Sequence, residues 1–421
     1  MKVRTHLFLN VSFATLIEIL GVILVCWLIY IAITSPIAKH YNFRNVFVRW
    51  RSTLATLMGI ALVVAVFVLV QSLAVGLQKS ASNTGDPRNV MIVRKGSTAE
   101  SSSQVSLQQF QMLHYWPQIA RDAKGNPIVS ADVVTLISQP RIDGRGEANV
   151  SVRGVTPMGM ELRPQVKLIA GRWFTPGKRE VAVSSTMAKR FSGFKIGDQF
   201  KTAGNLMTVV GEFDAGNSAF DSEVWMDADE ARAIYDRQSY SSVLVRVTSP
   251  AAAKEISDRL EADKRLPLRA DLEVDYYAKQ TATAKPIKIL GDFLATAMSI
   301  GAVFAAMNTM YASVGSRTRE IGTLRVLGFR RRTILASFII EGALLAAIGG
   351  VIGCLLALPL HGYSTGTMSF NTFSETVFQF RITPWLAAKG ILFAVVVGVV
   401  GSLLPAIRAA RLPVISALKS V

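Results

Sequence analysis

Cysteine is almost missing from this chain, and histidine is scarce. The two cysteines, Cys26 and Cys354, both sit inside apolar runs, so no disulfide framework is available to any part that faces an oxidising compartment. The four histidines, His6, His40, His114 and His361, have no carboxylate or thiol at ligand spacing, which leaves a metal site without support. G-x-S-x-G, H-E-x-x-H and C-x-x-C patterns are absent as well. The stretch GRWFTPGKR (Gly171 to Arg179) comes near a phosphate-binding loop, but five residues separate its glycines where four are required. Arg179 also stands where a Ser or Thr must reach magnesium, so a strand-bounding turn is the better reading.

Acid is in short supply too, though unevenly. Between Lys79 and Lys285 there are 28 Lys and Arg against 24 Asp and Glu; the remainder of the chain has 18 against 5. Of the net charge of +17, then, +4 belongs to the middle and +13 to the flanks. Those flanks are strongly apolar, and basic residues crowded at the ends of apolar segments mark cytoplasmic loops. A nucleic-acid module would carry its charge on a soluble face, so that class is set aside. In the middle, carboxylates such as Asp221 and Glu223 of AFDSEVWMD have nothing that fixes an acid/base geometry, and solvated surface charge is the expectation.

Long apolar runs are what the chain does have. Half of its 421 residues are hydrophobic. Four segments, about Thr53 to Leu77, Ile289 to Val314, Ile334 to Leu360 and Pro384 to Leu404, are long enough to cross a hydrocarbon core of about 30 Å, which takes roughly 20 helical residues. A fifth, Val11 to Ile33, is longer than a signal-peptide core and reads as a retained span, with an interfacial or re-entrant segment as the alternative. Lys39, Arg44, Arg49 and Arg51 precede the Thr53 span, six arginines follow the Ile289 span, and Arg408, Arg411 and Lys419 end the chain, so all three regions are expected in the cytoplasm. The His361 to Thr383 loop and the large middle segment are then extracytoplasmic, as is the N-terminal tail.

The middle has a soluble composition. NVMIVRKG (Asn89 to Gly96), ANVSVRGV (Ala148 to Val155), MTVVGEF (Met207 to Phe213) and SVLVRVTS (Ser242 to Ser249) alternate as half-buried strands do. Asp227 to Asp236 and Ala251 to Lys264 read as helices. An α+β extracytoplasmic domain is predicted. The polar tract GSTAESSSQVS (Gly96 to Ser106) reads as a mobile loop.

Within the spans, small residues recur four apart: Gly349 with Gly353, Ala346 with Gly350, Ala394 with Gly398, and Gly398 with Ser402. This spacing suits close helix packing in a bundle or at a dimer seam. Glu341, about 10 Å into its helix, is expected to pair with an arginine of the preceding loop or to snorkel, with steering a proton as the alternative, and Lys389 is expected to snorkel. That loop, GSRTREIGTLRVLGFRRRTI (Gly315 to Ile334), mixes Ile321, Leu324, Val326 and Leu327 with Arg319, Glu320, Arg325 and Arg330, a pattern for a short amphipathic helix on the membrane surface. Its apolar side would stay packed, and Gly322 and Gly328 would bound or bend it.

At these residues the chain resembles permease subunits of the MacB/FtsX-like family of ABC transporters. The likeness is carried by NTMYASVGSRTREIGTLRVLGFRRRTILASFIIEGALLAAIGGVIG (Asn308 to Gly353), by GSLLPAIRAARLPVISALKS (Gly401 to Ser420), and by Arg44 to Val70; GRWF, EVAVSS, IGDQF and TVVGEF add a weaker match in the middle. It extends from about Asn42 onward, and the segment before that departs from the four-span pattern. The resemblance implies an α-helical integral membrane protein with four family spans and an inserted α+β extracytoplasmic domain, to which the reading of Val11 to Ile33 adds an extra N-terminal span. Its parts would be the extra span in 1–40, a span with basic lead-in in 41–77, a MacB-type periplasmic core domain in 78–286, and a three-span FtsX-like permease domain in 287–421.

The same resemblance implies a permease subunit of the bacterial inner membrane, neither an enzyme nor a cofactor binder. Its partners would be a cytoplasmic ABC ATPase subunit, a second permease as homodimer or heterodimer, membrane lipid and, as a further candidate, a periplasmic adaptor. The loop 315–333 would act as a coupling helix, with Arg317, Arg319, Glu320, Ile321, Gly322, Leu327 and Gly328 at the ATPase contact. Export or envelope transport of a hydrophobic or peptide-like molecule by mechanotransmission is the leading reading. Lipoprotein release and regulation of cell-wall hydrolases are alternatives inside the family; a membrane-anchored receptor or scaffold without ATPase coupling is the alternative from another class.

Overall fold

A computed structural model describes residue 23 and residues 50–144, 146–280, 284–368 and 372–413. The expected span Val11 to Ile33 lies outside the described residues apart from Ile23. The chain divides into two compact units, one made of 1–73, 287–361 and 381–421, the other of 74–286 and 362–380.

Among the described residues, four helices are long and apolar enough to cross a membrane, Leu54–Ser82, Ile289–Ser316, Arg331–Leu360 and Pro384–Arg411, and they make up most of the helical unit. They start where the local chemistry lets them. Thr383 caps the last, its hydroxyl accepting the Leu386 N–H at 3.1 Å, and Pro384 fills the first turn, where no amide hydrogen is needed. Inside the unit, Ile60, Val64 and Val68 pack with Ala346, Cys354, Leu386 and Ala394. Met310, Val314, Ile334, Phe338, Val399 and Ala406 form a second cluster. Phe67 stacks on Phe393 with ring centres 4.7 Å apart. Helix Ile289–Ser316 is the least covered, exposing Ile289, Leu290, Phe293, Ile300 and Phe304.

The second unit is built on a ten-stranded sheet. Its strands are β1 (Asn89–Arg94), β2 (Val129–Pro140), β3 (Glu147–Val155), β4 (Lys167–Gly171), β5 (Glu180–Ser184), β6 (Gln199–Thr202), β7 (Asn205–Asp214), β8 (Glu223–Asp227), β9 (Ser242–Arg246) and β10 (Leu268–Leu272). They run in the order β10-β1-β9-β2-β3-β8-β5-β7-β4, with β6 beside β7. The β3/β8 and β5/β7 pairs are parallel and the other ladders antiparallel.

The expected strands are present, but their burial differs. Strand β7 alternates as a half-buried strand should. Strands β1, β8 and β9 are covered on both faces: Val90 and Ile92, Val224 and Met226, and Val243 and Val245 join one core, while Met91, Val93, Trp225 and Leu244 join the other. Helices Leu107–His114 and Pro250–Ala262 lie in this unit. The second begins at Ser249, whose side chain accepts from the Ala252 N–H.

Two sequence expectations are corrected here, and one further placement is new. The tract Gly96 to Ser106 is no free loop: it forms a short 3₁₀ turn at Glu100–Ser102, bridges Val105 to Tyr240, and inserts Glu100 and Ser103 into the interior. Asp221 and Glu223 are not solvated surface charge, since both are buried. The hairpin of β11 (Ser364–Met368) and β12 (Glu375–Gln379), in the stretch grouped on sequence with the permease domain, folds into the sheet unit. Val377 enters the sheet core, its N–H donates to Ser222 Oγ at 2.8 Å, and Glu375 accepts from Arg141 at 2.6 Å and from Arg190. Those contacts outweigh the chain connectivity that ties the hairpin to the last two spans.

Candidate functional site

The basic stretch between the second and third described spans folds as the helix Thr318–Val326. It starts at Arg317, whose backbone bends out of the preceding helix, and ends at Gly328. The Gly328 N–H donates to the Arg325 carbonyl and the Phe329 N–H to the Leu324 carbonyl, a Schellman-type termination that needs the left-handed backbone found at Gly328, φ 91°. A side chain there would be strained, so Gly328 acts first by stopping the helix. Gly322, which the sequence suggested as a bend, lies buried inside the helix without interrupting it.

The seven residues expected at an ATPase contact therefore lie together on one helix and its ends, but they divide by direction. Arg317, Ile321 and Gly322 are buried; Arg319, Glu320, Leu327 and Gly328 are exposed. Ile321 packs with Met310, Val314, Ile334 and Phe338. Arg317 Nη1 donates to Glu341 Oε2 at 2.8 Å, and the two side chains are only 7% and 6% exposed. This is the pairing expected for Glu341. Removing either partner would strand a charge in a low-dielectric site. Within this chain Val326 is 61% and Leu327 71% exposed, next to the exposed Arg330, Arg331 and Arg332.

Glycines set how Arg331–Ala357 meets its neighbours. A Cβ at Gly349 would meet Ile60, and one at Gly353 the Ala61 carbonyl and Val64, so these two face the first described span. A Cβ at Gly398 would collide with Ala346 and the Gly342 carbonyl, and one at Gly350 with Ala394. Gly349, Gly353 and Gly398 thus let backbones approach within one chain. Lys389 lies over the Trp385 ring at 5.5 Å.

A charge cluster inside the sheet unit escaped the sequence reading. Arg153 on β3 makes hydrogen bonds of 2.8 Å to both oxygens of Glu100 and both of Glu223, and one of 3.3 Å to Asp132. Asp132 also accepts from Arg163, while Ser242 and Trp225 Nε1 donate to Glu100 and Glu223. Burial would raise the Glu100 carboxyl, yet the charge and hydrogen bonds of Arg153, with the Ser242 hydroxyl, hold it below the usual carboxylate range. Burial likewise opposes the Arg153 charge, but Glu100 and Glu223 keep that guanidinium firmly protonated. Nearby, burial pushes Glu273 up. The available signal was Arg153 in the middle of an alternating strand, and nothing local named its partners.

Two family models match the chain: the MacB-like periplasmic core domain over residues 53–263 and the FtsX-like permease C-terminal domain over residues 293–414. The chain belongs to the MacB/FtsX-like permease family. With four described helices long and apolar enough to cross a membrane and an inserted MacB-like periplasmic core domain, it is a multi-pass membrane protein of this family. Similar proteins include the macrolide export ATP-binding/permease protein MacB of Nitrobacter winogradskyi, 34% identical over 194 residues, which are 44% of this chain and 28% of that protein. The ABC transporter permease YknZ of Bacillus subtilis is 27% identical over 65% of this chain and 70% of its own. MacB of Bdellovibrio bacteriovorus is 24% identical over 87% of this chain and 58% of its own length. The chain therefore spans less than two thirds of these MacB relatives. Among solved structures, the extracellular domain of YknZ aligns with 44% of this chain and 99% of its own at 16% identity and TM-score 0.32. The periplasmic region of MacB from Actinobacillus actinomycetemcomitans aligns with 45% and 91% at 13% identity and TM-score 0.34.

Proposed function

We propose that this chain is the permease subunit of a bacterial inner-membrane ABC transporter, coupling ATP hydrolysis in a separate cytoplasmic subunit to movement of its periplasmic domain. The cargo would be a hydrophobic or peptide-like molecule in export or envelope transport, and a second permease would complete the assembly. The division of helix Thr318–Val326 supports this reading best. Arg317 and Ile321 root it in the bundle, while Arg319, Glu320, Val326 and Leu327 present a mixed charged and apolar surface outward. An anchored helix of this kind suits mechanical coupling, because force applied outside passes through the buried ion pair to Glu341 in the next span. That span meets its neighbours through Gly349, Gly353 and Gly350, contacts with little slack. The sheet unit lies in the chain between the first and second described spans, and its hairpin between the third and fourth, so motion of any span has a covalent route to it.

Charge reversal in a double variant, Arg319→Glu with Glu320→Arg, tests the reading. In membranes isolated from cells, an ATPase subunit is expected to co-purify with the wild-type chain in mild detergent. The variant is expected to retain its thermal midpoint and lose that subunit together with ATPase activity. Unchanged association and activity would remove the coupling role.

A further inference from the structure

A cavity of about 650 Å³ opens in the sheet unit, and its wall is charged where small-molecule pockets are mostly apolar. Arg141, which follows β2, and Lys189 and Arg190, which follow the short helix Ser185–Ala188, line it. Both arginines give their Nη2 hydrogens to Glu375, Lys189 adds a third cation beside them, and Asp143, Asp214 and Asp221 line the same cavity. The Nε atoms of Arg141 and Arg190 are buried without a hydrogen-bond partner, and Lys189 is exposed and forms no ion pair among the described residues. This wall has unspent capacity for an acidic group. Asp214, at the end of β7, adds an exposed carboxylate whose Oδ1 takes only a long 3.4 Å bond from the Gly216 N–H. The β11–β12 hairpin closes another side with Tyr363.

We propose that this cavity binds a small zwitterion, its acidic group held by Arg141, Lys189 and Arg190 and its ammonium by Asp214. A short peptide with free termini and a phosphoethanolamine lipid headgroup share that chemistry. The polar wall gives no purchase to an acyl chain or a fused hydrophobic ring. Because the hairpin and the strand ends both line the cavity, an occupant would tie the hairpin more firmly to the sheet. As a step in transport the site rests on the proposed function; as a binding site it does not.

The test uses the purified full-length permease in detergent, without ATPase or nucleotide, and measures binding calorimetrically. Trialanine, glycerophosphoethanolamine, N-acetyl-trialanine and inorganic phosphate are the probes. Saturable binding is expected for trialanine or glycerophosphoethanolamine, and which of the two binds identifies the source. Lys189→Gln and Asp214→Asn, both exposed and clear of the Glu375 clasp, should each weaken binding about threefold to fivefold. Acetylating the amine should cost as much as Asp214→Asn. No saturable binding, or phosphate binding as well as the zwitterions with no response to Asp214→Asn, would overturn the site. Loss of this site would leave ATPase association untouched, whereas an intact site with no associated ATPase would count against the transporter and not against the cavity.

Discussion

In the sheet unit, Arg153 is buried at the centre of five hydrogen bonds to three carboxylates, among large aromatic side chains such as Trp225 and Phe220. In the helical unit, close packing comes from glycine, alanine and serine, and Arg317–Glu341 supplies a buried ion pair near one end of a span. The contrast follows from the surroundings. A water-soluble unit gains by removing apolar surface from water, and the strands around Arg153 supply enough partners to satisfy a charge there. In a bilayer the lipid is as apolar as the helix, so helices associate through close backbone approach, and each buried charge must be matched locally.

The largest effect that would break this contrast is expected from Arg153→Met, which leaves Glu100 and Glu223 buried without their main partner. A loss of about 3–5 kcal/mol is expected, read as a collapse of the sheet unit's unfolding midpoint in detergent. If instead the midpoint holds or rises, the cluster is replaceable by apolar packing.

Asp221 supplies the next test. Burial, with help from Asp214, raises its carboxyl to about 6, above the ordinary 3.8. A raised folded-state value means that its contribution is fully present below about pH 4 and is lost as pH rises through about 6. The ionised form then costs on the order of 3 kcal/mol at pH 8. Asp221→Asn should therefore lift the midpoint at pH 8 and have little effect at pH 4, as a pH series of melting curves would show.

Gly398→Val probes the other packing mode. Its Cβ would run into Ala346 and the Gly342 carbonyl, and about 1–3 kcal/mol of overpacking is expected in the helical unit. Melting followed by a probe in the spans should report the change, and normal packing with valine would show the seam to be loose. The smallest effect belongs to Glu180→Gln at the surface. Its hydrogen bonds from Arg172 hold the carboxyl down at about 2, so the contribution is present above about pH 4.5 and lost as pH falls through about 2. Arg172 is 53% exposed, however, and screening leaves only a marginal shift at pH 7.

Much of the helical unit was legible because span length, basic flanks and small-residue spacing are local properties. The stretch Arg317 to Gly328 could be singled out by its order of residues, and Glu341 assigned a loop arginine, because the pair is only 24 residues apart. Its outward greasy tip at Val326 and Leu327 was not legible, since amphipathic spacing says which residues share a face but not which face finds a neighbour. The sheet unit was less readable. Alternation predicts strands, yet cannot tell a strand covered once from one covered twice, which is how β1 and β9 differ from β7. Tract Gly96 to Ser106 looked like a mobile loop because composition reports average polarity, and one buried glutamate is invisible to an average.

By itself, then, the sequence determined that four apolar helices flank an inserted α+β domain, and where the charged loop between two spans lies. Hydrophobic length and periodicity act over neighbouring residues and need no fold to be seen. Only the tertiary structure decided that Arg153 gathers Glu100, Asp132 and Glu223, and that Glu375 from a distant loop takes Arg141 and Arg190. Those contacts join residues from 21 to 234 positions apart, and their partners are chosen by strand order and hairpin docking, which no local pattern encodes.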